Sequence, residues 1–268
     1  MSRRGRRAVG RSPRMRRRAE RLRPVVEGME RRELLATITV TTLVDALAPP
    51  VGQVTLREAI TAINAGGSVN AAVIANTTGT FGVNDTIIFT GLAGEIDLVA
   101  SLPALTRSVL IDGRTGLGFS EVPVITIVGG YVANNTVTIT GPDVTIRSLS
   151  IVRSQGPGVL ITGAAATGSV LLGNHIGADT TGTVGRANNG GGVVVTAGAG
   201  FGQIGGVLTS PFTLGTVGNL IAGNLGDNVR LDGAEAFQVQ GNFIGTNRAG
   251  SAALQDLLAG DNDHGVHI

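Results

Sequence analysis

The feature that most constrains this chain is a succession of short apolar runs, each ended by glycine, asparagine or aspartate, over residues 96–268. Runs such as Val124–Val128, Val137–Thr140 and Val159–Thr162 are much shorter than a typical helix of about 10–14 residues. Glycine and asparagine tolerate the positive φ angles that tight turns require. The pattern therefore predicts an all-β fold of many short strands, and it excludes alternating β and α units.

The composition agrees with this prediction. Glycine accounts for 42 of the 268 residues, more than twice its usual share of about 7%. No Gly-X-Y period is present, which excludes collagen, and valine, isoleucine and leucine recur too often for a disordered chain. The absence of cysteine excludes a disulfide scaffold and a thiolate metal site. No run of 18 apolar residues occurs, so no transmembrane helix is predicted.

The charges are divided unequally along the chain. Residues 1–35 contain 13 arginines and four glutamates, a net charge of +9, whereas residues 36–268 carry a net charge of −7. A nucleic-acid-binding domain needs a basic folded face. Because the part predicted to fold is acidic, no nucleic-acid partner is expected. The arginine-rich residues 1–35 are predicted to form a separate, disordered export or targeting segment.

Residues 36–95 are predicted to form a cap of strand, helix and strand. The alternation of Thr37–Val44 indicates the first strand. Thr55 and Glu58 have the spacing of a capping box, and the apolar residues that follow share one helical face. This short helix is suited to closing an open end of an apolar core. Helix capping and a local ion pair account for Arg57 and Glu58 better than a catalytic role does.

The repeats of residues 96–268 contain internal similarity. Val170–Gly177 aligns with Gln238–Gly245 at a shift of 68 residues, which we interpret as three coils of a parallel β-helix at about 22 residues each. Asparagines at equivalent turns of such a fold can stack and hydrogen-bond in a column, and we predict this ladder for Asn174, Asn224 and Asn242. A β-sandwich with many short strands is the structural alternative.

Three segments resemble known families. Residues 22–36 resemble the LExRxLLA export element of planctomycete-type surface proteins, with Met29 at the usual leucine position. Val54–Ile60 resembles the CSLREAI module found at the start of many bacterial β-helix proteins, with Val54 in place of the cysteine. Residues 158–250 resemble the glycine-asparagine repeats of pectin-lyase-like proteins. These resemblances imply a right-handed parallel β-helix, or solenoid, with a short N-terminal capping helix. Because the sequence stops inside a strand-like run, Val266–Ile268, without a capping element, we expect the repeats of residues 96–268 to be truncated at the C-terminus.

The sequence predicts no catalytic residues. Lyases with the pectin-lyase-like fold use an aspartate cluster that binds calcium, and the hydrolases use two or three acids, whereas the aspartates of these repeats are solitary. Asp112 and Asp232 fit turn positions, where a carboxylate satisfies backbone amides. Asp261 and Asp263, in the densest polar cluster, are candidate calcium ligands. Calcium is the one cofactor that the sequence leaves open. His175 aligns with Phe243 and is interpreted as an ordinary repeat residue.

These observations predict an exported structural or adhesive module that is extracellular or on the cell surface. Its expected partners are polysaccharides or other components of the cell envelope, and no catalytic activity of its own is expected. The alternative is a carbohydrate-active enzyme, a polysaccharide lyase or glycoside hydrolase. That alternative rests on analogy with the fold and requires acids aligned on adjacent coils.

Overall fold

A computed structural model of the chain describes residues 35–46, 49–196, 198–207, 217–254 and 264–268. All of them belong to one compact unit, residues 33–268. The predicted export segment, apart from Leu35, lies outside the described residues, and so do the calcium candidates Asp261 and Asp263.

The described residues are predominantly β and form nineteen short strands and two helices. The helices are α1 (Leu56–Ala65) and α2 (Ala71–Ala75). The strands are β1 (Thr37–Thr39), β2 (Thr77–Thr78), β3 (Asp85–Ile88), β4 (Gly94–Asp97), β5 (Val109–Asp112), β6 (Ile125–Val128), β7 (Val137–Ile139), β8 (Val144–Arg147), β9 (Ser150–Val152), β10 (Val159–Thr162), β11 (Val170–Leu172), β12 (His175–Ile176), β13 (Val193–Thr196), β14 (Gln203–Gly205), β15 (Leu220–Ile221), β16 (Val229–Asp232), β17 (Gln238–Gln240), β18 (Phe243–Ile244) and β19 (Val266–His267).

The strands are arranged in three sheets. The first sheet has the order β17-β14-β11-β8-β5-β3-β1-β2, the second β18-β15-β12-β9-β6-β4, and the third β19-β16-β13-β10-β7. Among the described strands only the β1–β2 pair is antiparallel. From β7 onward the chain visits the third, first and second sheets in constant rotation. The all-β prediction is confirmed, and the long parallel sheets are compatible with a parallel β-helix.

The register stacks apolar side chains into columns that face one continuous core. Because side chains alternate between the two faces of a strand, every second residue of a strand faces the core. Core-facing residues that are register partners on successive strands form one column. The column of the second sheet from β6 onward holds an isoleucine on every strand, and the first four are at most 1% exposed. Its members are Ile127, Ile151, Ile176, Ile221 and Ile244.

The register also corrects the predicted coil length. Leu171 of β11 pairs with Ile204 of β14, an offset of 33 residues, and Ile204 pairs with Val239 of β17, an offset of 35. The 68-residue repeat therefore comprises two turns of the chain, and the prediction of three was wrong. The additional length of the first of these two turns lies largely in a polar excursion between β12 and β13, and that of the second lies between β14 and β15. A further excursion follows β18. An antiparallel bridge between residues 178 and 185 closes one excursion, and a bridge between residues 246 and 253 closes another.

The N-terminal helix α1 has the capping box that its sequence indicates. The Thr55 hydroxyl accepts from the Glu58 amide at 3.1 Å, and the Thr55 amide donates to the Glu58 carboxylate at 3.0 Å. Gly66 ends the helix in the left-handed conformation, with φ of 66°. The apolar stripe of α1 belongs to the core cluster that the sheets enclose.

The first strand is shorter than the alternation of Thr37–Val44 predicts. The chain leaves the sheet after Thr39 because the Thr41 amide donates to the Val54 carbonyl, 2.9 Å away. The Val54 amide in turn donates to the Thr41 hydroxyl at 2.8 Å. This local pairing draws the chain toward the start of α1.

Candidate functional site

A lateral groove lies beside the second sheet. It consists of two adjoining cavities of about 730 and about 620 Å³ that share Thr181 and Arg248. We call this feature the lateral groove. Residues of β4 and β6 line one part of it. The other lining residues include Glu121, Phe243 and the excursions at 178–185 and 246–253.

The two excursions are attached to each other and to the sheet. The Arg248 amide donates to the Gly182 carbonyl at 2.9 Å. The guanidinium group of Arg186, just after the first excursion, binds both carboxylate oxygens of Glu95 on β4, with Nη2 at 3.1 Å from Oε2. Residues far apart in sequence therefore form one continuous wall.

The Arg186–Glu95 ion pair keeps the carboxylate of Glu95 in this wall ionised. The hydrogen bond from Arg186 lowers the pKa of Glu95, and burial opposes this only in part. Glu95 is consequently ionised at neutral pH. A general acid at neutral pH requires the opposite shift, since its pKa must lie near the working pH.

Asp179 organises the first excursion. Its carboxylate accepts from the Thr181 hydroxyl at 2.7 Å and from the amides of Thr183 and Val184 at 3.1 and 3.0 Å. Burial alone would raise the pKa of Asp179, but these hydrogen bonds outweigh it and lower the pKa. The carboxylate thereby fixes the exposed hydroxyls of Thr181 and Thr183, which lie 2.6 Å apart at the groove.

His175 lies buried beside the same excursion. Its Nδ1 is 2.9 Å from the carbonyl oxygen of Asp179, and because a carbonyl only accepts, Nδ1 carries the proton. Burial lowers the pKa of His175 to about 4, so the ring is neutral at pH 7. In the register His175 pairs with Leu220, which pairs with Phe243. This supports its interpretation as an ordinary repeat residue.

Asn174 and Asn242 belong to one hydrogen-bonded column, as the sequence predicts, but the member between them is Asn219. The Asn174 amide group donates to the Asn219 side-chain oxygen at 3.1 Å, and the Asn219 amide group donates to Asn242 at 2.9 Å. Each of these side chains also donates to a backbone carbonyl of the preceding turn. The column therefore satisfies buried polar groups at the turn between the first and second sheets.

The placement of Asn224 in that column was wrong. Asn224 accepts from Asn188 and donates to Asn228, both at 2.9 Å, in a second column. The reason is its position relative to a strand: Asn224 follows β15, whereas Asn219 precedes β15 as Asn174 precedes β12. The residues that signal the correct member are Gly218 and Asn219 directly before the strand.

The remaining polar residues singled out from the sequence are structural or lie apart from the groove. Arg57 donates to both carboxylate oxygens of Asp45, at 2.9 and 2.7 Å, and to the Ser101 carbonyl at 2.7 Å. Asp112 caps a short 3₁₀ turn by accepting from the Arg114 amide at 3.0 Å. Asp232 is exposed at the end of β16.

The groove residues Glu95, Arg186 and Arg248 could not be predicted from the sequence. A groove formed by loops that are far apart in the chain leaves no local sequence pattern.

The comparisons with known proteins assign no family. No protein-family model matches the chain, and no curated protein is similar to it at a significant level. Within the described residues, neither α1 nor α2 is long and apolar enough to span a membrane.

Proposed function

We propose that this chain is an exported structural or adhesive module of the cell surface that contacts glycans through its lateral groove. The observation that carries the proposal is the groove itself, a concavity with both polar and apolar lining residues beside the second sheet. Its wall combines threonine hydroxyls, a carboxylate and a guanidinium group, which together offer hydrogen-bond donors and acceptors to a sugar chain.

We further propose that the fold is a right-handed parallel β-helix with α1 as its capping helix. The constant rotation among three sheets, the inward apolar columns and the asparagine columns support this architecture. The apolar stripe of α1 lies in the same core cluster as Ile38 of β1, where a cap would cover the core. The resemblance of residues 22–36 to an export element supports a location outside the cell.

The groove is suited to binding a saccharide through both polar and apolar contacts. Arg248 and the hydroxyls of Thr181 and Thr183 line the same cavity as the aromatic ring of Phe243. Aromatic rings present an apolar face, which suits the C–H face of a pyranose. The groove is also open to solvent along the side of the sheets, so that a long chain can lie in it.

The carboxylates of the groove favour binding over catalysis. Glu95 and Glu121 are the two acids that line the cavities within the described residues. The lowered pKa of Glu95 and its ion pair with Arg186 make it a poor general acid. The enzymatic alternative would need a second acid that acts together with Glu121.

The proposal can be tested with the full chain and a panel of neutral and acidic polysaccharides, following both retention and chain cleavage. The salt concentration should be at least about 0.15 M, where the Debye length is about 8 Å, to limit nonspecific retention by the arginine-rich residues 1–35. Arg248→Gln should weaken retention, whereas the control Arg114→Gln, at a partly exposed arginine in the 3₁₀ turn after β5, should leave it unchanged.

Retention that depends on Arg248 and occurs without cleavage of the polysaccharide supports the proposal. Cleavage of a polysaccharide would contradict the non-catalytic assignment and favour the carbohydrate-active alternative, with Glu121→Gln as the next variant. Retention that is equal in both arginine variants, or no retention, would contradict a role for the lateral groove.

A further inference from the structure

Away from the lateral groove, a carboxylate and two imidazoles converge at the edge of the third sheet. One ligand atom from each of Asp227, His264 and His267 lies within 4.8 Å of the others. Asp227 is mostly buried, with 13% of its side chain exposed, whereas His264 and His267 are 61% and 53% exposed. The carboxylate is thus largely shielded from water, whereas both imidazole rings remain accessible from solvent.

The backbone places both histidines over the carboxylate. Asp227 lies in the turn before β16, and β19 pairs with β16 so that Arg230 is the register partner of His267. The Asn228 amide donates to the His264 carbonyl at 3.0 Å, and the His264 amide donates to Asp227 Oδ1 at 3.1 Å. The cluster is therefore a product of strand pairing between residues about 40 positions apart.

Each carboxylate oxygen of Asp227 faces one imidazole. Oδ1 is 2.8 Å from Nδ1 of His264, and Oδ2 is 3.0 Å from Nδ1 of His267. The ring centroids of the two histidines are 5.1 Å apart. Burial alone would raise the pKa of Asp227, but the hydrogen bonds with His267 and His264 outweigh it and lower the pKa. The aspartate is thus ionised at neutral pH.

We propose that Asp227, His264 and His267 form a binding site for a divalent transition-metal ion. Two imidazole nitrogens and one carboxylate oxygen are a donor set that suits zinc and related ions better than calcium or magnesium, which prefer oxygen ligands. With metal–ligand bonds of about 2.1 Å, ligand atoms around a tetrahedral zinc are roughly 3.4 Å apart. The carboxylate–imidazole distances of 2.8 and 3.0 Å are somewhat shorter than this, and all three ligand atoms lie within 4.8 Å of one another. Rotation of the exposed histidine side chains would bring the three atoms to the required spacing.

The site has two consequences. Three protein ligands leave a fourth coordination position open toward solvent for water or an external ligand. The metal would also join β19 to the turn before β16, so binding should stabilise this edge of the third sheet. Its donor set also differs from that of the calcium site predicted at Asp261 and Asp263, which requires oxygen ligands.

The test is a calorimetric titration of the chelator-treated full chain with Zn²⁺, together with the visible absorption spectrum of bound Co²⁺. We expect one ion per chain and a rise in Tm on binding. Loss of an outer-shell partner already weakens metal binding about 10–100-fold, so Asp227→Asn and the double variant His264→Gln/His267→Gln should weaken it at least as much. His175, the third of the three histidines, remains in every variant.

Two controls make the result specific. Asp232→Asn removes an exposed acid at the end of β16, the strand that follows Asp227, and this variant should bind Zn²⁺ like the parent chain. Asp261→Asn/Asp263→Asn should also retain zinc binding. Circular dichroism establishes that each variant is folded. The proposal is overturned if the parent chain binds no Zn²⁺, if binding survives in the double histidine variant, or if only the Asp261/Asp263 variant loses it.

Discussion

At the scale of single residues, His175 illustrates how burial turns a titratable side chain into a pH-dependent element of stability. Its pKa is lowered to about 4 by burial, whereas an unfolded histidine titrates near 6.5. Above about pH 6.5 both states are neutral and His175 makes no pH-dependent contribution. As the pH falls from about 6.5 to about 4, the unfolded state binds a proton that the folded state excludes, so stability is lost.

We therefore predict that His175→Phe reduces the loss of stability between pH 6.5 and pH 4. A shift of this size corresponds to about 3 kcal/mol across that window. Phenylalanine suits the position, because Phe243 occupies the same column two strands further on. The measurement is the free energy of unfolding in denaturant at several pH values. Parallel pH profiles for the parent chain and the variant would contradict the prediction.

Interactions between residues that are close in the sequence could be predicted from the sequence alone. Thr55 and Glu58 are three positions apart, and the capping box needs nothing beyond that spacing. The asparagine column is different, because its members are 45 and 23 residues apart. Glycine-asparagine pairs occur both before and after β15, and only the strand register shows that Asn219, and not Asn224, continues the column from Asn174.

At the scale of elements, an arginine at the start of α1 joins this helix to the chain that follows β4. Arg57 binds Asp45 in a bidentate arrangement and also donates to the carbonyls of Ala100 and Ser101, each at 2.7 Å. The side chains of Arg57 and Asp45 are 12% and 1% exposed. Asp45 also accepts from the Val99 amide at 3.0 Å. The pair thus joins the start of the helix to the chain that follows β4.

We predict that Arg57→Met lowers the free energy of unfolding by about 3–5 kcal/mol, because it leaves the buried Asp45 carboxylate unpaired. Arg57→Lys should recover less than half of this loss, since a single ammonium group cannot reach both carboxylate oxygens and two carbonyls. Arg114→Met is the control, at a more exposed ion pair, with an expected loss of about 1 kcal/mol. Chemical denaturation measures all three, and equal losses at both arginines would contradict the prediction.

The elements also show why the coil length could not be predicted. The 68-residue shift is present in the sequence, but dividing it into coils requires knowing which short runs pair. The excursions at 178–185 and 246–253 contain glycine, threonine and asparagine, the same residues that form ordinary turns. A chain with two long coils therefore has the same local composition as one with three short coils. The lateral groove was unpredictable for the same reason, because these excursions form its wall.

At the scale of the whole molecule, the parallel sheets make stability a property of stacking between neighbouring turns. An inner strand is paired on both sides, and its inward side chain is covered from both directions. Toward β17, β18 and β19 the cover decreases: Ile244 is only partly buried, and Val266 is 41% exposed. The isoleucine column of the second sheet contains the same side chain in a fully buried environment and, at Ile244, in a partly exposed one.

This column allows the last prediction. Ile151→Ala should lower the free energy of unfolding by about 2–5 kcal/mol, because it leaves a cavity among fully buried neighbours. Ile244→Ala should cost clearly less, since water already reaches its surroundings. Hydrogen exchange on the parent chain should show the same gradient, with protected amides in β9 and β12 and faster exchange in β18 and β19. If the two alanine variants lose equal stability, or if protection is uniform from β9 to β19, the sheets do not behave as a stack of nearest neighbours.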